Sequence, residues 1–121
     1  MTTQQLAPKP TTEPVVGMGA TEVFPQDHWP MRIVRVTDTG SAIWVVPVGT
    51  VNLSTGHSPA RRCNGYPVWD HTYTDAELDT LTEATRTPME ATRRSDGRYR
   101  LVGQAAEIAV GAARYVRNYA D

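Results

Sequence analysis

The sequence predicts a small, mainly β domain, an antiparallel sheet or open barrel with one or two short helices. Two segments carry the turn residues of β-hairpins between runs of strand-forming residues. Residues 31–37 and 42–48 flank the turn at 38–41, and residues 89–94 and 98–103 flank a turn centred on Gly97. A length of 121 residues is typical of one domain.

The remaining strands are predicted around these hairpins. A first strand covers 20–24 and is followed by a turn at 26–30. The run at 42–48 is apolar enough to be covered on both faces, with Trp44 in the core and Pro47 at a sheet edge or a strand end. A long polar loop is expected at 49–65, and alternation at 66–74 predicts a half-buried strand.

One short helix and an ambiguous C-terminus complete the predicted elements. Thr74 and Glu77 have the spacing of a capping box, which predicts a helix at about 75–82. The alanine-rich C-terminal segment fits a helix or a strand. We expect a short strand at 107–110, followed by a helical turn to about Tyr119.

The domain organisation follows from the N-terminal composition. Residues 1–14 are polar and proline-rich, which predicts a disordered tail, and 15–121 form a single β-rich domain. Just after the tail, Gly17 and Gly19 are separated by one residue. Such spacing suits a backbone that another chain segment or a ligand approaches closely.

Composition and motifs argue against several function classes. The net charge of −1 excludes binding of polyanions by bulk charge, and no apolar run approaches the ~20 residues of a membrane span. The lone Cys63 and the absence of a secretion signal favour a reducing cytoplasm. The three histidines lack metal-ligand spacing and no nucleophile motif occurs. We therefore expect no enzyme activity, no metal and no cofactor.

The basic residues point to an anion. Eleven of the twelve are arginine, which fits either a GC-rich genome or selection for guanidinium groups that bind phosphate. Across the second hairpin, Arg94 and Arg98 face each other at ~5 Å, where they repel unless an anion joins them. Alternatively, Arg94 pairs with Glu90 or Asp96 and the other arginines face water.

Aromatic residues could complete a nucleotide site. Trp29, Trp69, Tyr73 and Tyr99 are candidates for stacking on a base, although the core is the favoured place for Trp69. Asp96 is placed to accept a hydrogen bond from a ribose hydroxyl.

Four segments resemble a family of small proteins that is common in phage genomes. They are VGMGATE at 16–22, the pair Asp27-His28, the hairpin at 91–99, and the ending at 108–121. The group is similar to the phage anti-defence sponges of the Thoeris system, which bind cyclic ADP-ribose-type immune signals without cleaving them. In this chain the C-terminal arginine is displaced and the 49–65 loop is shorter than usual.

The resemblance implies a non-catalytic phage protein that captures a small phosphorylated nucleotide in the host bacterial cytoplasm. A homodimer or higher homo-oligomer is expected, because so small a domain has little room for a deep pocket. The alternative is a phage structural or assembly module that contacts protein or DNA, and nucleic-acid binding stays open. The hairpin motif contributes Arg94, Asp96, Arg98 and Tyr99 to the predicted ligand-binding residues. Arg114 matches the C-terminal arginine, and Trp29 is added as the ring that stacks on the base.

Overall fold

The computed structural model describes residues 13–24, 27–50, 61–63 and 66–118, and all elements below lie within these ranges. They form one antiparallel sheet system and a short helix. In chain order the elements are β1 (Gly19–Val23), β2 (His28–Val36), β3 (Ala42–Pro47), β4 (Arg61–Cys63), β5 (Tyr66–Thr72), α1 (Asp75–Leu81), β6 (Met89–Arg93), β7 (Tyr99–Leu101), β8 (Glu107–Val110) and β9 (Arg114–Asn118).

Six of the strands close into a barrel. Around the ring, β1, β2, β3, β6, β7 and β8 each pair antiparallel with the next strand, and β1 closes the ring by pairing with both β2 and β8. The mainly β prediction is therefore confirmed. The barrel is closed rather than open because β1 uses both of its edges.

Both predicted hairpins are present. The β2–β3 turn contains Gly40 at φ 74°, and the β6–β7 turn contains Gly97 at φ 87°. A left-handed backbone conformation of this kind favours glycine, which is why the glycine-containing turn segments correctly predicted both hairpins.

The core fills the barrel from strands on all sides. Alternate residues of each strand point inward, as a period of two requires. Ile33 from β2, Ile43 and Val45 from β3, and Ile108 from β8 are among its almost fully buried side chains. These side chains pack against one another inside the barrel and form its hydrophobic core.

A smaller sheet extends from the barrel beside the start of β2. β9 pairs with β2 through His28 and Val116, β5 pairs with β9 over five positions, and β4 follows β5. The helix α1 covers one face of this extension. A second core forms there from Val48, Tyr73, Leu78 and Ala113, with Leu81 and Tyr115 packed against it.

The predicted capping box is confirmed at the start of α1. The Thr74 side chain accepts a hydrogen bond from the Glu77 N–H at 3.2 Å, and the Glu77 carboxylate accepts one from the Thr74 N–H at 2.9 Å. The latter bond is the largest influence lowering the Glu77 pKa.

Three sequence predictions are wrong in the described ranges. The turn expected at 26–30 is a strand from His28 onward, because β2 pairs with β1 as far as Val23. The helical turn expected after 110 is replaced by β9, whose backbone pairs with β5. Trp44 is half-buried on the outside of the barrel rather than in the core, with the Arg35 guanidinium 4.5 Å from its ring centroid.

Two other predictions fall largely outside the described residues. The tail predicted at 1–14 is described only for Glu13 and Pro14. Within the loop predicted at 49–65, residues 51–60 and 64–65 lie outside the described ranges, and β4 occupies 61–63.

Candidate functional site

The six predicted site residues do not form one site within a single copy of the chain. Trp29 lies near the start of β2, close to Met89 at the start of β6. Arg94 follows the end of β6. Met89 and Arg94 are five residues apart, which is ~16 Å along an extended strand, so the two ends are distinct surfaces.

At the hairpin end, only Arg98 of the predicted pair of arginines lines the hollow described next. The Arg98 guanidinium Nη1 lies 3.9 Å from Glu107 Oε1 and beside a hollow of about 300 Å³ that Arg94 does not line. Asp96 accepts a hydrogen bond from the backbone N–H of Arg98 at 3.0 Å. Arg94 is exposed, and its side chain has no hydrogen bond or ion pair in the ranges described.

Tyr99 does not offer a surface for stacking. Only 4% of the residue is exposed, and its hydroxyl donates a hydrogen bond to the Gly40 carbonyl. Burial raises the pKa of Tyr99. The prediction of a base stacked on this ring is therefore wrong, because the ring belongs to the barrel core.

Arg114 lies on the opposite face of the sheet from Trp29. Its guanidinium binds Asp70 through Nη2 at 2.6 Å and Nε at 3.3 Å. With His28 it lines a hollow of about 180 Å³, and His28 and Trp29 are strand neighbours whose side chains alternate between faces. Burial, followed by the charge of Arg114, lowers the His28 pKa.

The candidate site that combines aromatic, acidic and basic side chains is the open end of the barrel that contains Trp29, which we call the barrel mouth. It is a hollow of about 360 Å³. Its walls come from β1, β2, the end of β3, and the segment that leads into β6. The side chains that matter below are those of Glu22, Phe24, Trp29, Met31, Arg86 and Met89.

The aromatic wall of the barrel mouth is held by neighbouring side chains. Trp29 is half-buried, and its ring centroid lies 5.5 Å from that of Tyr115. The Arg117 guanidinium lies 5.8 Å from the Trp29 centroid, within the range of a cation–π interaction. Phe24, at the end of β1, is 38% exposed. The site thus combines one fixed aromatic ring with one accessible ring.

Two ionisable residues lie in this apolar setting. Burial raises the pKa of Glu22, whose carboxylate has no hydrogen bond or ion pair among the residues that the structure describes. Arg86 Nη1 lies 2.7 Å from Glu83 Oε1, and both side chains are well exposed. An exposed pair of this kind contributes little to stability, so Arg86 can exchange its partner at small cost.

Of the residues lining the barrel mouth, sequence reasoning found only Trp29. One signal pointed to Glu22: it lies two positions after Ala20 in β1, so both share the inward face of the strand. A charged residue on an inward face is unusual in a core strand. Phe24, Arg86 and Met89 gave no signal, because their proximity depends on barrel closure.

The described residues contain no cluster of three or more histidine, cysteine or acidic side chains suited to a metal ion. None of their helices combines the length and apolar character needed to traverse a membrane. Comparison of the chain with protein-family models, curated proteins and solved structures finds no match.

Proposed function

We propose that the protein is a non-catalytic binding protein that captures a small phosphorylated nucleotide in the barrel mouth. The observation that carries this proposal is the hollow of about 360 Å³ between Trp29 and Phe24. Its size falls in the ~300–1,000 Å³ range of small-molecule sites, and barrel mouths are among their preferred positions.

Each part of such a ligand has a partner in the barrel mouth. A base in the hollow would contact the indole of Trp29 and the exposed ring of Phe24, and base–aromatic contacts contribute ~1–3 kcal/mol each. A phosphate at the rim would replace Glu83 as the ion-pair partner of Arg86, since guanidinium groups bind phosphate through paired hydrogen bonds. The apolar floor, which includes Met31 and Met89, excludes water from the base.

The side chains of the barrel mouth favour binding over cleavage. None of its described lining residues carries a hydroxyl, thiol, imidazole or amine. Glu22 is the only carboxylate among the described residues that line the hollow, whereas general acid–base catalysis usually positions a pair of such groups. Capture without cleavage is also what the resemblance to the Thoeris anti-defence sponges implies, and it makes cyclic ADP-ribose-type signals the first ligands to test.

Ligand release tests this proposal. The purified protein is mixed with cyclic ADP-ribose isomers, ADP-ribose or cyclic dinucleotides, its melting temperature is measured, and the ligand is recovered by heating. We expect a rise in melting temperature with at least one ligand, and intact ligand on release. Altered ligand would indicate an enzyme, and no shift with any ligand would contradict the proposal.

A variant pair locates the binding. Trp29→Ala should weaken binding at least about fivefold, given ~1–3 kcal/mol per aromatic contact. Trp44→Ala is the matched control, because Trp44 is a half-buried tryptophan on the outside of the same barrel. Equal losses in both variants would contradict a site in the barrel mouth.

A homo-oligomer would bring the separated predicted residues together. If the Arg94–Arg98 turn of one copy meets the barrel mouth of another, these arginines join Trp29 around one ligand. Light scattering with and without bound ligand should then give a mass of at least two chains. The double variant Arg94→Ala and Arg98→Ala should bind the nucleotide more weakly than the unaltered protein. A monomer that binds with unchanged affinity in this double variant would contradict the arrangement.

A second candidate function rests on the arginine end of the barrel. Arg94, Arg98 and Arg100 are exposed around one hairpin, and the Arg98–Glu107 contact is long at 3.9 Å. This surface supports contact with DNA or an acidic protein, as in a phage assembly module. Binding to duplex DNA that weakens steeply with salt and is lost in the same double variant would favour it.

A further inference from the structure

Resting on the proposed function, we infer that Glu22 recognises an exocyclic amino group on the base of the bound nucleotide. The juxtaposition of one unpaired carboxylate with the aromatic wall of the barrel mouth carries this inference. It assigns to Glu22 the choice between bases, which neither the resemblance nor the hairpin arginines addresses.

Strand register places the carboxylate beside the indole. Glu22 is the cross-strand partner of Trp29 in β2 and of Ile108 in β8. Directly opposed side chains on antiparallel strands lie ~4.5–5.5 Å apart at Cβ. Glu22 also lines the hollow itself. A base in contact with Trp29 therefore has one edge within reach of the Glu22 carboxylate.

The chemistry of that carboxylate restricts the ligand. An ionised carboxylate only accepts hydrogen bonds, and none of its bonding capacity is used by the described residues. Its partial burial makes an unsatisfied oxygen costly, so a ligand that donates N–H there gains affinity. A ligand that presents a carbonyl oxygen at the same place meets repulsion and an unpaired acceptor.

Adenine and hypoxanthine form a matched pair for this inference. At the exocyclic position adenine carries an amino donor and hypoxanthine a carbonyl acceptor. Hypoxanthine also carries an N–H at the adjacent ring nitrogen, which is an acceptor in adenine, so equal binding of the two would place the carboxylate at that nitrogen and not at the amino group. A hydrogen bond to a charged group contributes enough to change affinity by about tenfold or more. We therefore expect ADP-ribose to bind at least about tenfold more tightly than its hypoxanthine counterpart.

Calorimetric titration with ADP-ribose and its hypoxanthine counterpart tests the inference. In Glu22→Gln the new amide both donates and accepts, so the preference for adenine should fall to about twofold or less. Glu90→Gln is the matched control, because Glu90 is exposed and faces Trp44 across the β3–β6 pair. It should keep the full preference of the unaltered protein.

The outcomes separate the inference from the proposed function. If both compounds bind equally to the unaltered protein, or if Glu22→Gln keeps the preference, the inference is wrong while nucleotide capture stands. If alkylammonium ions displace the nucleotide in a manner that depends on Glu22, the carboxylate serves as a cation site and the inference is also wrong. If no nucleotide binds, the proposed function itself is contradicted.

Discussion

At the scale of single residues, the burial of Glu22 in the barrel mouth lowers the stability of the folded protein. Its carboxylate is partly withdrawn from water without a described partner, and burial raises its pKa. Folding therefore favours the protonated form. The resulting cost is fully present above the raised folded-state pKa of Glu22 and disappears as pH falls below the ordinary pKa of a glutamate side chain.

Replacing this carboxylate should stabilise the protein. Glu22→Gln should raise the free energy of unfolding at pH 7, and the advantage should shrink as pH falls to about 4. Urea unfolding of both proteins at several pH values measures the difference. A variant that is less stable at pH 7, or an advantage that grows in acid, would show that the carboxylate is stabilised in the folded state.

At the scale of elements, α1 connects the smaller sheet to the barrel mouth. Leu78 packs against Tyr73 in the second core. The chain after the helix then hydrogen-bonds to the end of β3, with Gly49 N–H donating to the Leu81 carbonyl at 2.8 Å and Glu83 N–H to that of Pro47 at 3.0 Å. These bonds lead the chain to Arg86 at the rim, so the position of Arg86 depends on α1.

Loss of the helix cap should weaken this connection. Thr74→Ala removes the acceptor for the Glu77 N–H and should lower the free energy of unfolding by about 1 kcal/mol. Thr85→Ala is the control, since Thr85 is exposed and its hydroxyl has no bond in the described ranges. Denaturant unfolding measures both variants, and equal losses would mean that the cap contributes nothing specific.

For the whole molecule, the close contact between β1 and the chain before β9 joins the smaller sheet to the barrel. Thr21 donates a hydrogen bond to the Ala112 carbonyl at 2.7 Å and accepts one from the Arg114 N–H at 3.0 Å. A Cβ on Gly19 would lie 2.7 Å from the Ala113 backbone nitrogen. The glycine spacing therefore indicated a real close approach, here between two segments of the same chain.

A methyl group at this contact should separate the two sheets. Gly19→Ala should destabilise the protein by about 1–3 kcal/mol, as overpacking at a backbone contact typically does. At Gly49 a Cβ would lie 3.5 Å from the nearest atom, so Gly49→Ala serves as the tolerated control. Thermal unfolding distinguishes the variants, and a Gly19→Ala protein as stable as the control would refute the contact.

Local signals determined which parts of this fold could be predicted. The turns at Gly40 and Gly97 and the Thr74 cap depend on neighbouring residues, and each was identified from the sequence. Barrel closure depends on pairing between β1 and β8, which are distant in sequence and carry no mutual signal. The alanine-rich C-terminus has helical propensity, but pairing with β5 makes it a strand.

The same limit applies to the candidate site. Trp29 was identified by its residue type, whereas Glu22 and Arg86 come from segments that only the closed barrel brings together. Arg94 and Arg98 were correctly placed at the hairpin turn. Which side chains line the hollow beside them could not be predicted, because Arg98 lies 3.9 Å from Glu107 of β8 and Arg94 does not line that hollow.

NMR chemical-shift mapping during titration with ADP-ribose tests most directly whether the barrel mouth is the ligand site. We expect the largest chemical-shift changes at the Trp29 indole N–H and at the backbone amides of β1 and the start of β6. Smaller changes are expected at Arg86. Changes confined to residues 94–98, with the Trp29 indole unaffected, would contradict the account.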